Sequence, residues 1–258
     1  DDDAFGAQLH RFVRPFPVLE GRIARDIRLA PYWKIPPSLK RKVAIHATRL
    51  DDLSSFRELL PELTRTAALP FSDESEHIAF HVFSDHRRSA LVMRFDHRLF
   101  DARGAESFLH CFQQTLHDRT HSTPITFNSS AELTGWREKF QAGTNVNRRI
   151  ISLSKSAPMA LPARPSRTGN FTYRLLSFNS QETAAIFDRV DRMAGYLMES
   201  PFLLAVVTRS VHELFRNRSA TGESYLVPVT MDLRPGREAP QELFFNHVSY
   251  LFYQIPVQ

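Results

Sequence analysis

Cysteine is all but missing from this chain: Cys111 is the single one in 258 residues. A lone thiol forms no internal disulfide and supplies no thiolate cluster for zinc. That usage fits a reducing compartment, so a cytoplasmic location is expected. Glycine is scarce as well, with 9 residues against 16 prolines, so the loops should be stiff. No apolar run reaches the roughly 18 residues of a membrane-crossing helix, and no membrane span is expected. The start, Asp1-Asp2-Asp3-Ala4, lacks the basic n-region of a signal peptide. No His/Asp/Glu cluster has ligand spacing, so no metal is expected.

What the chain has in quantity is phenylalanine, 21 residues, an aromatic way to build a core. The net charge is +5, mostly through arginine, but the basic residues are scattered and runs such as Arg148-Arg149 are short. A nucleic-acid binder would cluster them, so no nucleic-acid partner is expected. A basic surface would still favour the approach of an anionic, phosphorylated substrate.

Apolar positions Phe5, Leu9, Phe12, Val13 and Phe16 predict a helix that Pro15 and Pro17 stop. Val43–Arg49 reads as a strand, followed by a short helix Leu53–Leu60 capped by Asp51 or Asp52. Residues 76–84 and 89–96 read as an antiparallel hairpin around a polar turn. Ala105, Phe108, Leu109, Phe112 and Leu116 form a helical stripe, with Cys111 beside it as a small core residue rather than a nucleophile. Residues 118–170 read as a connection, with a short helix near 130–140. Beyond it, Phe171–Phe178 predicts a strand and Asn179 with Glu182 a capping box. Ser200-Pro201 predicts a helix start with proline first, and the apolar body Phe202–Phe215 predicts a central helix. Tyr225–Leu233 and Phe245–Ile255 read as strands. The alternation is that of an α/β protein in two lobes, 1–165 (including the connection from about 118) and 166–258.

His97 and Asp101 stand four apart, where a strand ends and a helix is about to begin. A histidine titrates near neutral pH and can act as a general base there. Such spacing arises by chance, and His81–Asp85 repeats it. That second match lies inside a strand and its turn, with no helix after it, and reads as structural.

Phe95–Gly104 resembles the His-His-x-x-x-Asp-Gly active-site loop of the chloramphenicol acetyltransferase-like, CoA-dependent acyltransferase superfamily. That superfamily holds nonribosomal peptide synthetase condensation domains and the plant BAHD acyltransferases. Three further segments resemble it in the same order: Phe16–Ile23 its "FPxLxGR" stretch, Val227–Pro235 its "VPVxLRP" strand, and Phe245–Ser249 its "GNxVS" strand. The resemblance implies two-layer α/β lobes with mixed, largely antiparallel sheets and an active site in a tunnel between them. Members are usually much longer, so the first strand and much of the second lobe are expected to be missing. It implies His97 as general base and Asp101 as a structural residue of the loop, with Arg234 its partner. It also implies Asn246 or Ser249 as contacts to a substrate or to the oxyanion, while His247 beside them reads as structural. It implies no tightly bound cofactor: the co-substrate would be a thioester, acyl-CoA or the phosphopantetheine arm of an acyl carrier protein. The acceptor would be a small amine, alcohol or thiol. Two departures stand out: Asp96 replaces the first histidine, and Ala102 the glycine after the aspartate, with a glycine only at Gly104. The readings left open are an active acyltransferase and a catalytically degenerate member that binds or scaffolds. Nucleic-acid binding rests on net charge alone.

Overall fold

The computed structural model describes residues 2–27, 29, 31–40, 42–116, 125–126, 136–153, 155–160, 174–234 and 241–257. The chain opens with α1 (Asp2–Val13), a 3-10 turn (Pro17–Glu20), β1 (Arg22–Arg25), β2 (Pro31–Lys34) and β3 (Ala44–Arg49). Next come α2 (Phe56–Ala67), β4 (Ile78–Ser84), β5 (Ser89–Phe95), α3 (Ala102–Leu116) and β6 (Ile125–Thr126). Then follow α4 (Trp136–Leu153), α5 (Ser180–Ala194), α6 (Glu199–Asn217), β7 (Ser224–Asp232), β8 (Gln241–Glu242) and β9 (Val248–Pro256).

These elements group into two compact units. The first comprises Asp1–Ser130, Asn170–Tyr173 and Asp232–Ser249; the second comprises Ala131–Gly169, Arg174–Met231 and Tyr250–Gln258. The first unit is thus discontinuous in sequence.

In the first unit β3, β4 and β5 form one mixed sheet. β4 pairs parallel with β3 and antiparallel with β5, Ser84 opposite Ser89 and Ile78 opposite Phe95. Period-two alternation gives the sheet two faces. Phe80 and the partly buried Met93 and Phe95 face the main core with α1 and α3. Phe83, Ala90 and Val92 face a smaller cluster with Leu59 and Leu63 of α2. The main core is a web of phenylalanines. Phe108 lies 5.1 Å from Phe12 and 5.3 Å from Phe100, and Phe244 lies 5.2 Å from Phe100 and 5.4 Å from Phe16. Mostly edge-on or tilted, these rings match the quadrupole preference of aromatic pairs. Cys111 is fully buried here, and desolvation pushes its thiol up to about 11, away from any nucleophilic role.

Several local expectations are corrected. The helix expected at Leu53–Leu60 begins only at Phe56 and runs to Ala67, because Asp52 spends its carboxylate on Ser54 in a turn before it. The helix near 130–140 is the longer α4; the rest of the expected connection lies largely outside the described residues. Arg174–Phe178 is exposed and irregular, since an extended segment becomes a strand only with a partner; Phe171–Tyr173 lie outside the described residues. The capping box at Asn179 is present, with Glu182 N donating to Asn179 Oδ1 at 2.9 Å. α6 starts at Glu199, which makes Pro201 its third residue, and it buries none of its residues. Leu203, Val206, Val207 and Leu214 stay exposed. An apolar helix is central only where a layer covers it. Within this unit the described neighbours are α5 and the two-stranded β7–β9 sheet, which meets it at Tyr225.

Phe108 touches α1, the loop after β5 and Phe244 at once. Phe108→Ala should therefore cost about 3–5 kcal/mol in urea unfolding followed by far-UV circular dichroism.

Candidate active site

The loop between β5 and α3 combines buried, pinned residues with two exposed ones. Asp96 N donates to His77 O at 2.8 Å, extending the β4–β5 register by one pair. Leu99 N and Phe100 N return to Asp96 O at 2.9 and 3.2 Å, closing a tight turn. Leu99 and Phe100 are fully buried, and Asp101 is 3% exposed. The turn leaves His97 and Arg98 exposed. Among the described residues nothing hydrogen-bonds the His97 ring. Its backbone carbonyl, in contrast, accepts from Asn246 Nδ2 at 3.1 Å.

The Asp101 carboxylate has three hydrogen-bond partners among the described residues, and the His97 ring is not one of them. Asp101 Oδ1 accepts from Arg234 Nη2 at 2.7 Å and from Gly104 N at 2.8 Å; its Oδ2 accepts from His247 N at 2.9 Å. Burial pushes this carboxyl up, but the Arg234 guanidinium and the two amides outweigh it and hold it below the usual carboxylate range. Arg234 is fixed in turn, its Nε donating to Glu242 O at 2.8 Å and its Nη1 to Asp232 Oδ1 at 3.1 Å. His247 is buried, with Nε2 donating to Phe244 O at 2.8 Å and Nδ1 3.1 Å from Glu242 Oε2. Its ring is a strut within its own segment. A Cβ on Gly104 would collide with the Leu243 carbonyl, so the glycine at this position permits the segment's close approach to α3. Phe245 bonds Leu99 O through its N–H at 2.6 Å and stands at φ 69°, a left-handed conformation that favours glycine. Glycine is the residue that the resembling motif has there. Ser249, the second residue of β9, is half-buried and makes no described contact with the loop.

Asp96 is the second anchor. Its carboxylate accepts from Arg98 N at 2.9 Å, from Arg98 Nη2 at 2.5 Å and from His77 Nδ1 at 3.2 Å. Partial burial opposes its ionisation, but the Arg98 and His77 bonds prevail and bring it down to about 2. His77 is itself buried; its Nε2 bonds the Gly21 carbonyl, and its ring lies 4.7 Å from that of Trp33. Sequence reasoning missed His77, Arg98, Glu242 and the function of Gly104. The hairpin register held a signal for His77, since it carries on to pair 77 with 96.

The second His-x-x-x-Asp match is structural. His81 is buried in β4 and stacks on His46 at 4.7 Å, while Asp85 accepts the amides of Arg87, Arg88 and Leu53. Among the described residues no group of three or more His, Cys, Asp or Glu could hold a metal ion, and no helix is long and apolar enough to cross a membrane.

Asp101 serves three donors and Arg234 is one of them. Asp101→Ala should therefore cost about 3–5 kcal/mol, and more than Arg234→Ala, by equilibrium denaturation. The low value of Asp96 means that its contribution to stability is complete above about pH 4 and is lost as pH falls through about 2. Across that window Asp96→Asn should flatten the acid limb of a thermal-stability profile relative to wild type.

No protein-family model and no curated protein matches the sequence. Solved structures do match. The first condensation domain of the CDA synthetase aligns over 100% of this chain and 63% of its own, at 16% identity and a TM-score of 0.68. The epimerization domain from the third module of tyrocidine synthetase B aligns over 98% of this chain and 60% of its own, at 15% identity and a TM-score of 0.59. The condensation domain of the Monacolin K polyketide synthase MokA aligns over 99% and 59%, at 12% identity and a TM-score of 0.61. The chain spans about three fifths of the length of these domains. At such identities the likeness is one of architecture: the chain has the fold of these condensation and epimerization domains.

Proposed function

We propose that this chain carries the acyl-transfer site of a condensation-type enzyme, with His97 as general base. The acyl group would come from a thioester of CoA or of a carrier-protein phosphopantetheine, and would pass to an amine, alcohol or thiol. The observation that carries the reading is an exposed imidazole on a loop whose every other anchor is fixed. Such an arrangement holds a base in one place while leaving it open to a substrate.

In this reaction His97 takes the proton of the attacking N–H, O–H or S–H as the new bond to the thioester carbonyl carbon forms. The carbonyl becomes an oxyanion. Asn246 bonds the His97 carbonyl through one N–H, and its second N–H, with the Ser249 hydroxyl, is the candidate stabiliser. When the C–S bond breaks, the thiolate recovers the proton from the imidazolium. Asp101, held by Arg234 and two amides, takes no proton and positions the loop.

A binding or scaffolding role is the second reading. It is favoured by Asp96, where the resembling loop has its first histidine, tied up with Arg98 and His77.

Intact-mass detection of acyl transfer, with a panel of acyl-CoAs, acyl carrier proteins and acceptors, separates the two. On the first reading His97→Ala lowers transfer by about 10²–10⁴-fold with an unchanged unfolding midpoint. Undiminished transfer in His97→Ala would remove His97 as the base. Carrier-protein binding without turnover in the wild type would establish the second reading.

A further inference from the structure

The β3–β4–β5 sheet has a second face, turned away from the main core, and α2 packs over it. The cover is slight. Leu53, Leu59 and Phe83 are the buried residues of its cluster, with Leu63, Ala90 and Val92 partly buried around them. Two arginines tie its ends: Arg88 Nη1 donates to Ser54 O at 2.5 Å before the helix, and Arg94 Nη1 donates to Leu69 O at 2.7 Å after it. A helix held by so few apolar contacts opens more readily than the core beneath it.

His81 lies on this face, in the middle of β4, and is 3% exposed. The ladders place it beside His46 of β3 on one side and Val92 of β5 on the other. The rings of His46 and His81 stack at 4.7 Å with 22° between their planes, and the Phe83 ring lies nearly parallel to His81 at 6.3 Å. His46 itself is exposed. No acceptor among the described residues meets His81 Nε2. An imidazolium carries an N–H on both ring nitrogens, so a proton taken up in the closed structure buries an N–H without a partner. The charged neighbours add to that cost. They are His46 of β3, Arg94 of β5 and Arg65 of α2, and each opposes a positive charge on His81. The acids close by serve the arginines: Glu62 pairs with Arg65 at 2.7 Å, and Glu76 acts on Arg94.

We propose that the His46–His81 stack makes the α2 cover acid-labile: a proton taken up by His81 favours the state in which α2 has left the sheet and the ring meets water. Burial first, and then the three neighbouring charges, push His81 down to about 4, against about 6.5 in water. The ring is therefore neutral at pH 7, and the cover is closed. As pH falls below about 6.5 the open state binds the proton more readily than the closed one. Closure weakens from there to about pH 4, below which both states hold the proton. β5 continues into the loop of His97, so the sheet that α2 covers is also the one that carries this loop. The device uses no residue of the proposed acyl-transfer site and does not rest on that reading.

Hydrogen–deuterium exchange of the purified protein tests it, read by mass spectrometry at about pH 7 and about pH 5 with exchange times scaled for the intrinsic rate. The opening constant of peptides within Phe56–Ala67 should rise about 10–25-fold between the two, while α3 keeps its protection. His81→Phe keeps an aromatic ring in the stack but takes no proton, so the rise should vanish. His46→Gln, at an exposed position, should shrink it. A proton NMR titration of the wild-type histidines gives a reading that needs no variant: His81 should titrate well below about pH 6. The proposal is overturned by equal α2 protection at the two pH values, by α3 opening together with α2, by the full rise persisting in His81→Phe or His46→Gln, or by His81 titrating at the ordinary histidine value.

Discussion

The carboxylate of Asp101 holds together the end of the β5–α3 loop, the first turn of α3 and the segment Asp232–Ser249. Arg234, Gly104 N and His247 N all converge on its two oxygens within 2.7–2.9 Å. A carboxylate this deeply buried is tolerable only when charge and hydrogen bonds replace its hydration, and here one guanidinium and two amides do so. The geometry around it follows. Gly104 must lack a side chain because the Leu243 carbonyl occupies that space, and Phe245 accepts a left-handed backbone to keep its N–H on Leu99. His97 inherits its exposure from these constraints: the residues on either side of the His97-Arg98 pair are pinned, so the two are turned outward.

Asp96 adds a second fixed point from the other side. Where the resembling motif has a histidine, this chain has an acid, and a histidine faces it from position 77. The substitution leaves a pinned residue at this place, now fixed through Arg98 and His77. The Trp33 ring beside His77 stands edge-on to Phe245 at 5.8 Å, which links this anchor to the segment that also serves Asp101.

Much of the first unit was legible in the sequence because its signals are local and periodic. The stripe of Phe108 and Phe112, the alternation of β4 and β5, and the stop at Pro15 each report the environment of one element. The position of the candidate loop was readable from four motif-like segments in order. Arg234, taken from one of them, lies 2.7 Å from Asp101. What stayed hidden depends on partners far along the chain. Nothing local tells Asn246 to bond the His97 carbonyl, 149 residues away, or Phe178 to stay irregular. α6 shows the same limit: its apolar composition suggested a central helix, but burial is decided by what lies on top of it. The discontinuity of the first unit, which takes Asp232–Ser249 from between two strands that lie mostly in the second, likewise has no compositional mark.

If the Asp101 clamp organises the loop, the two amides that donate to it should behave as one unit. Hydrogen–deuterium exchange, followed by mass spectrometry on peptides covering Gly104 and His247, reads this directly. Both amides should be protected in the wild type and should lose protection together in Asp101→Ala, while the β4–β5 hairpin stays protected. Fast exchange at His247 in the wild type, or loss at one amide with the other unchanged, would contradict the clamp and with it the fixed presentation of His97.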